Sequence, residues 1–274
     1  VSLFLYCSEK GLTWLREGKL PFLEASSLMD PFVSNEALNH QPDGSIAVSD
    51  EEFRVELKAQ FAALPESLSS LMSFEYFEEQ SQSKRASIEA QIRQRSVPQV
   101  STVSAKQQKN LTLLCLSERA DNSLLWQYQA ANHRGMVIEL DQTHEFFTAP
   151  QYRDAPQMFQ PVKYSAERPL KLKDSHPFIS LFHRSEHFSH EQEWRLLRPA
   201  SVSDKLINVD ELSIHLHKIP NTVIKSVTCG ANMTAELKKA LVNLLSTDLR
   251  YRHAELMECR LDPGQYILHR TAID

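Results

Sequence analysis

The sequence predicts an α+β fold with a mixed sheet at its core. Apolar runs of strand length recur from Ser2–Cys7 to Tyr266–Arg270, helical periodicity is confined to a few segments, and several late strand-like runs follow one another without a helix between them. With 274 residues the chain can bury a sizeable core, and it reads as a single domain, 1–274, carrying a helical insertion at about 50–108.

In order, residues 2–7 form a first strand, and the segment from Gly11 forms a short helix that stops at Gly18. Lys19 to Phe22 is a second short strand. Met29-Asp30-Pro31-Phe32 breaks regular structure, because Pro31 disfavours a helical Asp30. Ser49 caps a helix with acids in its first turn, and Phe53, Leu57, Phe61 and Leu64 repeat at helical spacing. A second helix is expected over Pro65 to Gln80, with Leu68, Leu71, Met72, Phe74 and Tyr76 as its apolar face. Ser81 to Val97 is polar, a solvated helix or a mobile segment, and 96–108 reads as a loop. Leu111 to Leu116 is a buried strand. A helix from Leu124 to Asn132, capped from Asp121-Asn122-Ser123, leads through Gly135 into a strand over Met136 to Leu140. Further strands are expected at 158–164, 194–197, 216–219, 224–229, 254–260 and 266–270, with one more helix from Thr234 to Leu245.

Hydrophobic residues at 42%, charged residues at 24% and a net charge of −5 describe an ordinary globular chain. They give no general attraction to nucleic acid or anionic lipid, although a local patch could still bind nucleic acid. Cys7, Cys115, Cys229 and Cys259 form no C-x-x-C pair and sit in or beside apolar runs, as reduced core thiols of a cytoplasmic protein would. No apolar stretch of about 18 residues exists, and the opening VSLFLYC lacks the basic leader of a secretion signal.

The most informative run is His190-Glu191-Gln192-Glu193-Trp194-Arg195-Leu196-Leu197. If a strand begins at Glu193, both acids share one face, where they can serve chemistry that develops positive charge. Alone, such a pair is more simply a solvated strand start. His176, His183, His187 and His190 crowd the preceding segment, and His183 and His187, four apart, would meet on one helix face. The Glu of H-E-x-x-H is missing, so no metal is expected. Six glycines leave no phosphate-binding glycine loop, and there is no G-x-S-x-G.

Leu125-Trp126-Gln127-Tyr128-Gln129-Ala130-Ala131-Asn132-His133-Arg134-Gly135 resembles the signature of a bacterial family, domain of unknown function twenty-nine seventy-one, in which L-W-x-H-Y-A is followed by H-x-G and a strand. Tyr6 on the first strand, Met29-Asp30-Pro31-Phe32 against N-D-P-F, Ser117-Glu118 at a strand end, Glu191 to Arg195 against E-x-E-W-R, and Val227 to Gly230 before a helix follow in the same order. The resemblance covers most of the chain outside the insertion. Departures fall at Tyr128-Gln129, where the family has His-Tyr, and at Met29, where it has Asn.

In layout the chain also resembles ADP-ribosyltransferases of the E-x-E class. That second resemblance implies an enzyme using NAD as substrate on a macromolecular acceptor, in a bacterial cytoplasm and in conflict or phage defence. Glu193 would stabilise an oxocarbenium-like transition state and Glu191 would help activate the acceptor; Tyr6, Ser117, Trp126, Tyr128, His133 and Arg195 would belong to the cofactor site. The class has Arg where Tyr6 stands, so Arg195 or Arg134 would have to meet the pyrophosphate. Each residue also has a plainer role: Ser117 as a strand-end hydrogen-bonder, Trp126 and Tyr128 in helix packing, His133 near a helix end, Arg195 as partner of a neighbouring acid. A non-catalytic module that binds a nucleotide or a protein in the same cleft is the alternative.

Overall fold

The computed structural model describes residues 2–28, 30, 32, 48–96, 103–148, 157–169, 176–209 and 212–273. Two compact units emerge: residues 1–35, 101–169 and 175–274 form one, and 36–100 with 170–174 the other.

The first unit is an α+β structure around an 11-stranded sheet. Its strands are β1 (Ser2–Cys7), β2 (Lys19–Glu24), β3 (Leu111–Ser117), β4 (Met136–Asp141), β5 (Met158–Pro161), β8 (Glu193–Pro199), β9 (Lys205–Val209), β10 (Leu212–Lys218), β11 (Ile224–Cys229), β12 (Glu255–Leu261) and β13 (Leu268–Ala272). The order is β13-β12-β11-β4-β1-β3-β2-β10-β9, with β8 pairing β3 and β5 pairing β8. All pairs are antiparallel except β11 with β12, which helix Ala235–Thr247 connects, as a parallel pair requires. β6 (Lys163–Ser165) and β7 (His183–Ser185) form a separate parallel pair. β3 is a fork: β8 runs along the whole of one edge, while β2 and β1 share the other.

Side-chain alternation gives the sheet two different faces. On one, Leu3, Leu5 and Cys7 of β1, Leu114 and Leu116 of β3, Met136, Ile138 and Leu140 of β4, and Leu196 of β8 form the main core. Helix Gly11–Glu17 covers it with Trp14 and Leu15, and helix Ala235–Thr247 with Leu241, Leu244 and Leu245. The other face has two smaller apolar clusters: Phe4, Tyr6 and Val137 with Leu125 and Trp126, and Leu111, Leu113 and Leu197 with Leu181 and Phe182. Between them this face is polar, carrying Cys115, Ser117, Glu193 and Arg195.

In the second unit, Phe53 and Leu57 of helix Asp50–Ala62 pack with Ile88 of helix Arg85–Ser96, and Phe74, Phe77 and Ile92 lie against them. Ser49 and Glu52 close a reciprocal capping box.

Several elements differ from expectation. The helix expected over Pro65 to Gln80 is a turn at Glu66–Ser69 followed by a helix over Phe74–Ser81, because Ser73 caps the latter at the Tyr76 amide. Leu71 is consequently 78% exposed. Within the expected loop, Ser104 and Gln107 box a short helix, Ala105–Lys109, which groups with the sheet unit; 97–102 lies outside the described residues. The expected strand over 158–164 divides at Val162, whose amide turns to the Glu193 carbonyl. β9 and β7 were not foreseen. His183 and His187 do not share a helix: His183 opens β7 and His187 lies in a 3-10 turn, Glu186–Glu191. Of the Met29-Asp30-Pro31-Phe32 element, Met29 and Pro31 lie outside the described residues, while the Asp30 carboxylate accepts from the Phe32 amide at 2.9 Å, a local turn. All four cysteines are free thiols. Among the described residues no helix is long and apolar enough to cross a membrane.

Candidate functional site

The site is built where β8 begins. The 3-10 turn Glu186–Glu191 ends at Gln192, which is left-handed (φ 44°) and redirects the chain into the strand. Three contacts pin that corner to β3 and β6. Ser117 Oγ donates to the Glu191 carbonyl (2.6 Å), the Glu118 amide to the Gln192 carbonyl (3.0 Å), and the Glu193 amide to the Tyr164 hydroxyl (2.8 Å). Register then aligns Phe4, Ser117 and Glu193 in one row across β1, β3 and β8.

Two residues along β8, on the same face, Arg195 meets Glu193 fork to fork, with Nε–Oε1 and Nη2–Oε2 both 2.8 Å. Its remaining nitrogen donates to the Leu181 carbonyl, so all three nitrogens are engaged and the side chain is 2% exposed. Arg184, from β7, donates through Nη1 to Glu191 and lies 3.3 Å from Glu193. Its guanidinium stacks 3.9 Å from the Phe188 ring centre, and its Nε lies 3.8 Å from Asp30. Three carboxylates therefore share two guanidiniums in a buried seam. Burial pushes the Glu193 carboxyl up, but Arg195 and Arg184 reverse this and hold it below the ordinary carboxylate range. Glu191 is left with the surplus: burial raises its carboxyl, Arg184 opposes, and the neighbouring Glu193 charge adds to the rise. Burial also pushes the Tyr164 hydroxyl up to about 12.

Tyr6, Ser117, Glu191 and Glu193 line one dent in this face, with Phe4, Cys115 and Gln129 beside them. The dent measures about 10 Å³, room for a single water. Trp126 lies fully buried behind it, edge-on to Tyr6 at 5.5 Å, with its indole N–H on the Ala120 carbonyl. His133 stacks on Trp126 at 5.5 Å and does not reach the dent. Burial holds the His133 imidazole below its ordinary range. Tyr128 is 58% exposed and also stands apart from the dent. The Tyr6 hydroxyl is occupied, donating to the Arg119 carbonyl (2.8 Å) and accepting from the Asn122 amide (3.2 Å).

The two arginines considered for a pyrophosphate are both engaged elsewhere. Arg195 is locked on Glu193 and Leu181, and the exposed Arg134 donates to the Ala131 carbonyl. Arg184 and Tyr164 are central to the seam but carried no spacing signal. Gln129, noted only as a departure from the family pattern, stands on the rim.

The segment joining helix Ser123–Tyr128 to β4 is tightly constrained. Asn122 caps that helix through the amides of Leu124 and Leu125. The helix ends four residues before the expected Asn132, and Ala131, Asn132 and His133 follow in the left-handed region (φ 50°, 56° and 62°). That conformation costs roughly 1 kcal/mol or more per non-glycine residue. Gly135 is required by packing: a Cβ there would lie 2.1 Å from the Cys7 carbonyl oxygen. At Gly230 a Cβ would lie 2.1 Å from the His133 carbonyl oxygen.

Among the described residues no group of three or more His, Cys, Asp or Glu is placed to hold a metal ion. Comparison with protein families, curated proteins and solved structures finds no match.

Proposed function

We propose that the chain is an ADP-ribosyltransferase-like enzyme that uses NAD on a macromolecular acceptor in a bacterial cytoplasm, in conflict or phage defence. One observation carries this reading: Tyr6, Ser117, Glu191 and Glu193, from neighbouring parts of the sheet, line one dent. The resemblance in layout to ADP-ribosyltransferases of the E-x-E class, with Tyr6, Ser117 and Glu191-x-Glu193 in order, supports it. In this reading Glu193 is the fixed anion, held in place by Arg195, and an anion near developing positive charge in a dry site contributes several kcal/mol. Glu191, whose raised carboxyl lies closer to neutral pH, would take the acceptor proton. The closed dent does not fit a nicotinamide ring; the exposed Gln129 on its rim is the side chain that an entering ring would displace.

A second reading, a non-catalytic module that binds nucleotide or protein, is favoured by the two arginines that already neutralise Glu193. Incubation with NAD labelled in its adenylate half distinguishes the two. The enzyme should release nicotinamide or label an acceptor, and Glu193→Gln should lower the rate about a hundredfold or more. An unchanged rate in Glu193→Gln sinks the catalytic assignment. A melting temperature raised by NAD or ADP-ribose without turnover supports the module.

A further inference from the structure

The two guanidiniums of the seam serve the two acids unequally. Arg195 takes both oxygens of Glu193 in a flat two-bond pair, and Arg184 adds only a longer contact to that acid, 3.3 Å. Glu191 instead meets Arg184, through Nη1. Arg184 is the less enclosed of the two arginines, 16% exposed against 2%, and its guanidinium lies against the Phe188 ring at 3.9 Å. Phe188 stands three residues before Glu191 in the same 3-10 turn, Glu186–Glu191. Side chains at that spacing eclipse in a 3-10 turn, so ring and carboxylate address one guanidinium together.

Among the described residues, the other ionisable groups round Glu191 do not replace that cation. Glu193 on β8 is negative. Burial keeps the Tyr6 hydroxyl on β1, the Cys115 thiol on β3 and the Tyr164 hydroxyl on β6 protonated at neutral pH. His190, in the turn itself, adds the smallest pull toward ionisation. Burial and the Glu193 charge both press Glu191 to keep its proton, and a base must have released it; Arg184 is the main counterweight.

We propose that Arg184, steadied by Phe188, is the positioning residue of the dent: without touching substrate, it holds the Glu191 carboxylate in place and keeps it able to accept a proton. What proton that is rests on the transferase reading. As the electrons of the glycosidic bond leave with nicotinamide, a lone pair of the acceptor bonds to the ribose carbon and the acceptor's proton passes to Glu191; Arg184 keeps its own. Carboxyl-carbon NMR titration of the full chain, with the Glu191 resonance identified by its loss in Glu191→Gln, reads the proton directly and needs no turnover. Arg184→Gln should raise the Glu191 midpoint by about one pH unit or more. Arg184→Lys, which keeps the charge, should return most of that rise, and Phe188→Ala should give a smaller rise. The acid limb of nicotinamide release should move over the same pH interval as the midpoint. An unmoved midpoint in Arg184→Gln, or in Phe188→Ala if Arg184→Gln fails to fold, would overturn the proposal. So would nicotinamide release whose acid limb stays in place while the midpoint moves. A moved midpoint with no nicotinamide release from any form would sustain the role of Arg184 while removing the transferase reading.

Discussion

Arg195 illustrates how a residue that looks functional can first be structural. Its guanidinium is spent on Glu193 and on the Leu181 carbonyl in the interior, so removing it leaves a buried carboxylate with only the longer contact to Arg184, which Glu191 shares. We expect Arg195→Leu to lower the unfolding free energy by about 3–5 kcal/mol, and Glu193→Leu added to it to restore part of the loss; urea unfolding of the single and double variants measures both. A recovery of zero would mean that the pair is not coupled. His217 gives a separate test. Burial, with Arg198 and His215 nearby, pushes its imidazole down to about 4, from an ordinary value of 6.5. As pH falls from 6.5 towards 4 the unfolded chain takes up a proton that the folded one refuses, so the stability is full above this window and is lost through it. The loss is about 3 kcal/mol, and His217→Asn should flatten that part of the stability curve. Glu191 acts in the opposite sense: its raised carboxyl makes ionisation costly, so its contribution is greatest at low pH and declines as pH rises through its folded value. At this scale the sequence disclosed the acid pair and its arginine, because i and i+2 on a strand share a face. Arg184 was illegible, since it reaches the acids across the fold rather than along the chain.

The connection from helix Ser123–Tyr128 to β4 shows the limit of local rules for elements. Helical periodicity and the Asn122 cap marked the helix and its start, and Gly135 marked the strand beyond it. Nothing marked its end, because the three left-handed residues Ala131, Asn132 and His133 include no glycine. They are held instead by bonds from later parts of the chain, such as the Asn232 amide on the His133 carbonyl (2.9 Å). Gly135→Ala should therefore cost about 3 kcal/mol or prevent folding, and Gly230→Ala should do likewise. Gly264→Ala, where a Cβ would meet its nearest atom at 3.7 Å, should be near neutral. Urea midpoints of the three variants decide the matter: equal effects would refute the close-approach argument. β9 escaped notice for a related reason, since its mostly exposed side chains give it no apolar alternation.

For the whole molecule, the α+β class was legible because strand length and helix period are local properties. The strand order was not, because it depends on pairings between distant segments, such as β1 with β4 and β11 with β4. The two units also differ in how much they bury. The sheet unit has its main core and two satellites, whereas the other rests on Phe53, Leu57 and Ile88 with a few half-buried neighbours. Opening free energy follows buried contact, so hydrogen exchange in helix Asp50–Ala62 should be at least about tenfold faster than in β1, β4 and β11. Equal protection across both units would contradict this.

In the seam of Asp30, Arg184, Glu191, Glu193 and Arg195, both acids of the E-x-E pair lean on one guanidinium, that of Arg184. The Glu193 charge across that guanidinium adds to the burial that raises the Glu191 carboxyl. Glu191, with its raised carboxyl, is the seam's readiest seat for a proton. Whatever settles against the seam thus also shifts a protonation equilibrium: a positively charged guest disfavours the proton on Glu191, a negatively charged one favours it, and a neutral one leaves the balance unchanged.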